Sequence, residues 1–260
     1  MKETTKDLLA GTKLWKLWSR LAYRELQLSV KRTVLGPLWL IIHRIFMAVA
    51  FSFLGAILFG STAGLNTDIL VGFMVFAVIN GYLQSANSAL DSTASLSDSG
   101  LPVSVRFLKP WAKEFQLSLL SAGVLSIVSI SIGTFSLKTY LLIFALTLFI
   151  SIWGLGLMFA IAPVALRFRD VAQIVTFTST ILMFLSPIFW KIEDIKNREL
   201  ADIILTYNPI ADFIFIFREV INNETLNTDY LRASCIQTII ILVIGFISFA
   251  ATRRRIPYWS

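Results

Sequence analysis

The sequence predicts an all-α integral membrane protein, built as a single transmembrane domain of 260 residues. Hydrophobic residues make up 56% of the chain and charged residues only 15%, which is too apolar for a soluble domain whose surface must carry charge. Several apolar stretches exceed the roughly 18–20 residues with which a helix crosses about 30 Å of hydrocarbon. The single cysteine, Cys235, excludes an intrachain disulfide and a thiolate metal cluster.

Six apolar stretches define the predicted transmembrane helices, at residues 38–60, 69–90, 115–135, 139–166, 171–190 and 233–251. The first of them starts only at Leu38, so no cleavable signal peptide is expected. An even number of spans places both termini on one side, where 17 of the 23 Lys and Arg residues fall if Arg44 is included. Because positive residues concentrate in cytoplasmic segments, both termini are predicted to be cytoplasmic. The net charge of +7 therefore reflects membrane topology and does not indicate nucleic-acid binding.

Residues 12–33 predict an amphipathic helix that lies at the membrane interface before the first span. Polar residues from Lys13 to Lys31 recur at spacings of three and four, while leucine and tryptophan fill the other side. This pattern fits a simple anchor and equally fits a lever that transmits the motion of a partner to the first span.

Two connecting segments are longer than turns require. The loop between the second and third spans contains "LPVSVRFLKPW", and its residues alone favour a plain connector over a docking site for a soluble partner. On the outer side, residues 191–232 contain "NPIADFIFIFREVI", in which Asn208 can cap and Pro209 can start an apolar helix. That helix is too short to span and is predicted to be re-entrant or interfacial. It could close the outer mouth of a pathway or form an inert plug facing lipid.

Several polar residues interrupt the predicted spans. Asn80, Gln84 and Asn87 share one face of the second span, where interhelical hydrogen bonding is slightly favoured over the wall of a pathway. Arg44 lies about 10 Å along the first span. It either extends its charged end to the interface or, with His43, surrounds a cytoplasmic pore mouth that attracts an anionic lipid headgroup. No second ligand follows His43 at helical spacing, so a metal site is not expected.

Phenylalanine is abundant, with 21 copies. Most phenylalanines in a membrane span contact lipid or neighbouring helices, but flat aromatic faces can also stack on the C–H faces of sugars. The candidates for such a channel lining in the first and fifth spans are Phe46, Phe51, Phe177 and Phe184.

No energy source is visible in the sequence. The phosphate-binding pattern G-x-x-x-x-G-K-[ST] is absent, and the middles of the predicted spans carry no carboxylate that could relay protons. Hydrolytic triads and zinc motifs are also missing. We therefore do not expect the chain to be an enzyme. Its energy must come from a partner, or the protein is passive.

Several motifs in order along the chain resemble the ABC-2 type permeases that export lipid-linked polysaccharides such as O antigen, capsule and teichoic acid. The resemblance covers nearly the whole chain. The segments that carry it are "YRELQLSVKRTVLGPLWL", "LPVSVRFLKPW", "RFRDV", "LSPIFW", "NPI" and "RRRIPYW". One departure is His43-Arg44, where many relatives carry Asn-Pro.

This resemblance implies a homodimer of six-helix subunits in the bacterial plasma membrane. Two copies of a separate ATPase, which binds ATP and Mg²⁺, would drive a lipid-linked polysaccharide through a channel at the dimer interface. Gly36 and Pro37 would break the surface helix so that the chain turns into the membrane. The resemblance places ATPase coupling at Arg24, Glu25, Lys31, Arg32, Leu101, Pro102 and Arg106, and an outer gate at Pro209, Phe213 and Phe217.

Two alternatives remain open from the sequence. The first is an ABC-2 permease for drugs or small lipids, which would not need a continuous aromatic and polar path. The second is a passive channel or scaffold without an ATPase, which would be insensitive to changes at Arg24 and Glu25.

Overall fold

A computed structural model describes residues 2–29, 31, 33, 35–36, 38–59, 66–94, 100–134, 136–168, 170–190 and 198–256. Within these ranges the regular structure is entirely α-helical. The helices are α1 (Lys2–Lys13), α2 (Trp15–Ser29), α3 (Leu38–Phe59), α4 (Thr67–Ala94), α5 (Val105–Ile132), α6 (Leu137–Arg167), α7 (Asp170–Leu185), α8 (Arg198–Tyr207), α9 (Ala211–Asn223) and α10 (Thr228–Thr252).

Five of these helices, α3, α4, α5, α6 and α10, are long and apolar enough to cross a membrane. The chain is therefore a multi-pass membrane protein. Helix α7 has 16 residues and falls short of the roughly 20 that a span needs. It ends before Pro187, whose ring cannot supply the backbone N–H that would continue the helix. The described residues thus give five candidate spans, and the sixth predicted span stays a prediction.

The centre of the bundle is formed by α4 and α6. In the most apolar part of each helix, 72% of the residues of α4 and 56% of those of α6 are buried, against 28% for α3 and 17% for α10. Helices α3 and α10 therefore lie at the edge, with large apolar side chains on the surface of the subunit. In a membrane protein such a surface faces lipid or another subunit.

Local backbone geometry defines the end of α5 and the start of α6. Gly133 ends α5 in the left-handed conformation, with φ of 84°, which costs a glycine little because it has no Cβ. Ser136 then caps α6 by accepting a hydrogen bond from the backbone N–H of Thr139 at 3.1 Å.

The N-terminal region differs from the single predicted helix over residues 12–33. The chain forms two helices, α1 and α2, with a break at Leu14. Helix α2 packs along the start of α5, so one side of it contacts protein while Trp15, Tyr23 and Leu28 stay exposed. Helix α1 was not predicted, because Lys2–Lys13 is too polar to show an apolar stripe.

Helix α9 occupies the predicted outer segment but begins at Ala211, two residues after Pro209. Asn208 makes a local turn instead of a helix cap, accepting from the N–H of Ile210 at 2.9 Å. The helix packs against α4, α6 and α10, and its side chains Phe213 and Phe217 are almost completely buried. The apolar face of α9 is thus covered by protein and not by lipid.

Candidate functional site

A buried ion pair joins α3 to α5. The guanidinium of Arg44 contacts the carboxylate of Glu114, and it also donates to Ser121 Oγ at 3.4 Å. The two charged side chains are only 13% and 5% exposed, so each provides the partner that makes burial of the other tolerable. Gly81 on α4 leaves the space that the pair fills, because a Cβ there would overlap the Glu114 carboxylate.

Glu114 was missed by the sequence reasoning. The third span was predicted to start at residue 115, which assigned Glu114 to a loop, whereas α5 begins at Val105. The statement that the spans contain no central carboxylate therefore overlooked a buried one. A signal was present, since Trp111, Glu114, Ser118 and Ser121 recur at helical spacing and form a polar stripe on α5.

A neutral network lies behind the ion pair. The hydroxyl of Tyr82 on α4 donates to Ser151 Oγ at 2.8 Å and lies 3.3 Å from Ser118 Oγ. Trp111 Nε1 donates to the backbone carbonyl of Ser151 at 2.8 Å. Because these groups are buried or half-buried, their hydrogen bonds fix the relative positions of α4, α5 and α6.

The polar face of α4 contacts α7. Ser179 Oγ donates to Asn80 Oδ1 at 2.6 Å, and Asn87 Nδ2 donates to the carbonyl of Ala172 at 3.2 Å. Between these bonds, Thr176 Oγ1 lies 3.4 Å from Gln84 Oε1. The predicted interhelical hydrogen bonding along this face is therefore present among the described residues.

A cleft of about 600 Å³ lies between the Arg44–Glu114 ion pair and the hydrogen bonds that join α4 to α7. Its volume is in the range of small-molecule sites. Most of the side chains that line it are polar or charged. They include Arg44, Gln84, Asn87, Lys113, Glu114 and Thr176.

Lys113 connects the cleft to the surface helix α2. Its Nζ lies 2.9 Å from Glu25 Oε1, while Lys109 Nζ lies 2.8 Å from Glu25 Oε2. Burial raises the pKa of Glu25, but the hydrogen bonds and charges of the two lysines outweigh this and place its pKa below the usual range. Trp18 of α2 adds an edge-to-face contact with Trp111, with ring centroids 5.9 Å apart.

A second set of contacts joins both ends of the chain to the start of α5. Ser104 precedes α5 but makes no side-chain cap. The carboxylate of Asp7 in α1 binds the two residues that precede the helix, accepting from the N–H groups of Val103 at 3.2 Å and Ser104 at 2.9 Å. Arg253, just after α10, donates to the same carboxylate at 3.0 Å. We name α1, α2, residues 101–114 and residues 253–254 the terminal junction.

The residues predicted to couple to the ATPase lie in different environments in the structure. Glu25 is paired, Arg106 is buried, and Leu101 and Pro102 are half-buried before α5. Arg24 and Lys31 are exposed. Arg32 and Pro37, with residues 191–197 of the predicted outer segment, lie outside the described residues.

The predicted channel-lining phenylalanines occupy two environments. Phe46, Phe177 and Phe184 are 60–69% exposed on the single subunit. Phe51 stacks on Phe73 at 5.1 Å and contacts Phe189 edge to face at 5.2 Å, so it belongs to an aromatic cluster. His43, the predicted partner of Arg44 at the pore mouth, is exposed.

Of the predicted gate residues, Phe213 and Phe217 are buried and Pro209 borders an apolar cavity of about 270 Å³.

The buried Arg218 of α9 was missed by sequence reasoning. It donates to the carbonyls of Asp68 at 2.9 Å and Ile188 at 3.1 Å. Burial lowers the pKa of Arg218 to about 10, so the guanidinium stays charged at neutral pH.

No group of three or more His, Cys, Asp or Glu side chains is placed to hold a metal ion within the described ranges. The described part of the chain therefore offers ion pairs and a polar cleft as its candidate functional features.

Comparison with known proteins points to a transporter. A family model described as "ABC-2 type transporter" matches residues 16–222. Two curated relatives, both described as "O-antigen export system permease protein RfbA" from Klebsiella pneumoniae, are 28% and 27% identical over 104 residues. The aligned region covers 40% of this chain and 39% of each relative. The chain thus spans about two-fifths of the length of the curated relatives it matches.

Proposed function

We propose, from the premise that this chain belongs to the ABC-2 type transporter family, that it is the permease subunit of an ATP-driven exporter of lipid-linked cell-surface polysaccharide. One observation carries the proposal. The surface helix α2 is fixed through Glu25 to the start of a long apolar helix, α5. A permease whose energy comes from a separate ATPase needs such a mechanical connection. The similarity to O-antigen export permeases supports the choice of substrate class.

The working unit in this proposal is a homodimer in the bacterial inner membrane with two copies of the ATPase. The ATPase, and not this chain, binds ATP and Mg²⁺. Helix α7 completes six spans, and both termini face the cytoplasm. The polysaccharide passes between the two subunits, and the exposed Phe46, Phe177 and Phe184 offer it aromatic faces. Phe51, Asn80 and Gln84 line the path nearby.

Coupling to the ATPase takes place at the terminal junction. Arg24 and Lys31 offer exposed positive charge to the partner, and Arg32 is assigned the same role. Leu101 and Pro102 form a second contact before α5, and the buried Arg106 supports it from within that helix. The ion pairs of Glu25 support this assignment because they transmit a displacement of α2 to α5 without a flexible linker.

Two further regions act on the substrate. His43 and Arg44 form the cytoplasmic mouth, where positive charge attracts an anionic headgroup. Pro209, Phe213 and Phe217 belong to the outer gate. The burial of Phe213 and Phe217 against the bundle supports a gate that moves as a packed unit with α4 and α6, in place of a loose plug.

The experiment is a deletion of the gene followed by surface labelling of glycan and measurement of total extractable glycan. We expect polymer to accumulate inside cells with a bare surface, and the wild-type gene to restore it. The double substitution Phe177→Ala with Phe184→Ala should lower surface glycan several-fold at equal protein level. Ile239→Ala, an equally exposed position on α10, should not.

Unchanged surface glycan in the deletion strain, with no second exporter present, would refute the polysaccharide assignment. In that case the export of drugs or small lipids becomes the better explanation. The apolar cavity beside Pro209 and Trp153 is the observation that favours this second candidate.

A further inference from the structure

We propose that the cleft beside Arg44 binds a phosphate-bearing headgroup, and that Lys113 transfers from Glu25 to this headgroup when it binds. The inference rests on the proposed function only for the origin of the headgroup, because the binding chemistry follows from the cleft itself. Its consequence is that occupancy of the cleft changes how firmly α2 is held. The cleft would thereby report the presence of substrate to the helix that contacts the ATPase.

The charge around the cleft favours an anion. Two neighbouring groups of ion pairs, Arg44 with Glu114 and Glu25 with its two lysines, together contain three cations, Arg44, Lys109 and Lys113, and two carboxylates. One positive charge in this cluster is therefore not neutralised by the carboxylates within it. A phosphate group would balance this charge and accept several hydrogen bonds at once.

The opposite wall supplies neutral donors. Gln84 Nε2 donates to Asn80 Oδ1, and Asn87 Nδ2 donates to the carbonyl of Ala172. Each amide nitrogen carries a second N–H, which can turn to a ligand without breaking these bonds. Both residues border the same cleft as Arg44 and Lys113. The cleft thus places cationic donors on one wall and amide donors on the other.

Lys113 is the residue shared by the cleft and the ion pairs of Glu25. It borders the cleft and also pairs with Glu25, whereas Lys109 pairs with Glu25 but does not border the cleft. If Lys113 turns toward a phosphate, Glu25 keeps Lys109, so no carboxylate loses its last cation. Arg44 does not have this freedom, because its departure would leave the Glu114 carboxylate buried and unpaired.

The test uses the purified full-length chain in lipid nanodiscs, with farnesyl diphosphate and inorganic diphosphate as probes. We expect both to bind, and hydrogen exchange of residues 20–29 to become faster when either is present. Lys113→Gln should weaken binding by about tenfold, as expected for loss of one charge-assisted hydrogen bond. It should also make the exchange of α2 independent of the probe.

Lys109→Gln alone is not a neutral control, because it leaves Lys113 as the last lysine on Glu25. The matched pair is therefore Lys109→Gln with Glu25→Gln and Lys113→Gln with Glu25→Gln, which change the net charge equally. The first should leave binding within about twofold and the second should weaken it by about tenfold. Equal weakening by both double variants would mean that only the overall charge matters and would overturn the proposal. It would also be overturned if neither probe binds, or if binding leaves the exchange of α2 unchanged.

The two probes distinguish the source of the phosphate. Tighter binding of farnesyl diphosphate supports a lipid headgroup, and equal binding of inorganic diphosphate assigns the cleft to free anions and overturns its link to a lipid. Failure of the export assay with intact probe binding would refute the polysaccharide function but not the anion site. Normal export of polysaccharide without any probe binding would refute the anion site but not the polysaccharide function.

Discussion

The terminal junction and the α9 region, which we define as Asn208 and residues 211–223 with their neighbours, use buried polar groups in different ways. In the terminal junction, Glu25 has two lysine partners, and Asp7 binds Arg253 as well as backbone N–H groups. In the α9 region, the cation Arg218 donates to backbone carbonyls of Asp68 and Ile188. A side chain can change partners by rotation, but a backbone carbonyl moves only with the main chain that carries it.

This difference suggests which region rearranges and which stays rigid. Around Arg218, the large side chains Phe213 and Phe217 are buried with almost no exposed surface. Close-packed interiors of this kind tolerate little independent movement. The terminal junction is half-exposed and joined by exchangeable ion pairs, so we expect it to be the part that responds to a partner.

The largest expected effect comes from breaking the buried pair beside the cleft. Arg44→Ala leaves the Glu114 carboxylate buried without a cation, which costs about 3–5 kcal/mol of stability in comparable cases. The measurement is unfolding of the detergent-solubilised protein. Arg44→Met combined with Glu114→Leu should recover most of the loss, because no unpaired charge remains. A double variant as unstable as Arg44→Ala would show that the pair contributes something other than charge balance.

The next largest effect on stability tests the α9 region. Arg218→Met removes the donor to the carbonyl of Ile188, which lies outside the helices, at a cost of about 1–3 kcal/mol for an unsatisfied buried group. The carbonyl of Asp68 also loses this donor but lies within α4, where carbonyls accept helical hydrogen bonds. Arg218→Lys keeps the charge but cannot reproduce both directions of the planar guanidinium, so it should be intermediate. The rate of hydrogen exchange in α9, measured for each variant, shows whether the loss of stability is local to this helix. If exchange rises in α2 and not in α9, the proposed contrast between the regions is wrong.

Much of the fold was predictable because crossing a membrane requires length and apolar composition. The five candidate spans coincide in sequence with predicted ones, since both properties can be read locally. The sixth is different. The run at 171–190 carries no charged residue, but α7 ends at Leu185, before Pro187, and composition alone does not show where a helix ends.

The candidate site was less predictable because its partners are distant in sequence. Glu25 and Lys113 are 88 positions apart, and nothing in either local pattern indicates the other. Glu114 was assigned to a loop because a charge normally marks the end of a span. Its burial depends on Arg44, whose charge was noticed but whose partner was not. The polar face of α4 was predictable, because Asn80, Gln84 and Asn87 obey one helical period.

A smaller effect tests the hydrogen bonds that α1 makes to the segment before α5. Asp7→Ala removes the acceptor for the N–H groups of Val103 and Ser104, and a typical hydrogen bond contributes about 0.5–1.5 kcal/mol to stability. Asp7→Asn keeps an oxygen acceptor and should retain part of this bonding while losing the ion pair with Arg253. Unfolding measurements on both variants separate the two contributions. Equal loss in both would assign the stabilisation to the ion pair and not to the hydrogen bonds.

The smallest expected effect is a pH dependence of stability that arises from Glu25. Its pKa in the folded protein lies below the usual range, so the folded state favours the charged form more than the unfolded chain does. The stabilisation is therefore fully present above the pKa of the unfolded chain, about 4.3, and is lost as the pH falls through the lower folded pKa. The unfolding midpoints of the wild type and Glu25→Gln should differ at pH 7, and the gap should close only as the pH falls through the folded pKa of Glu25. A constant gap across this range would mean that the lysines bind Glu25 through packing and not through its charge. The terminal junction would then be as rigid as the α9 region.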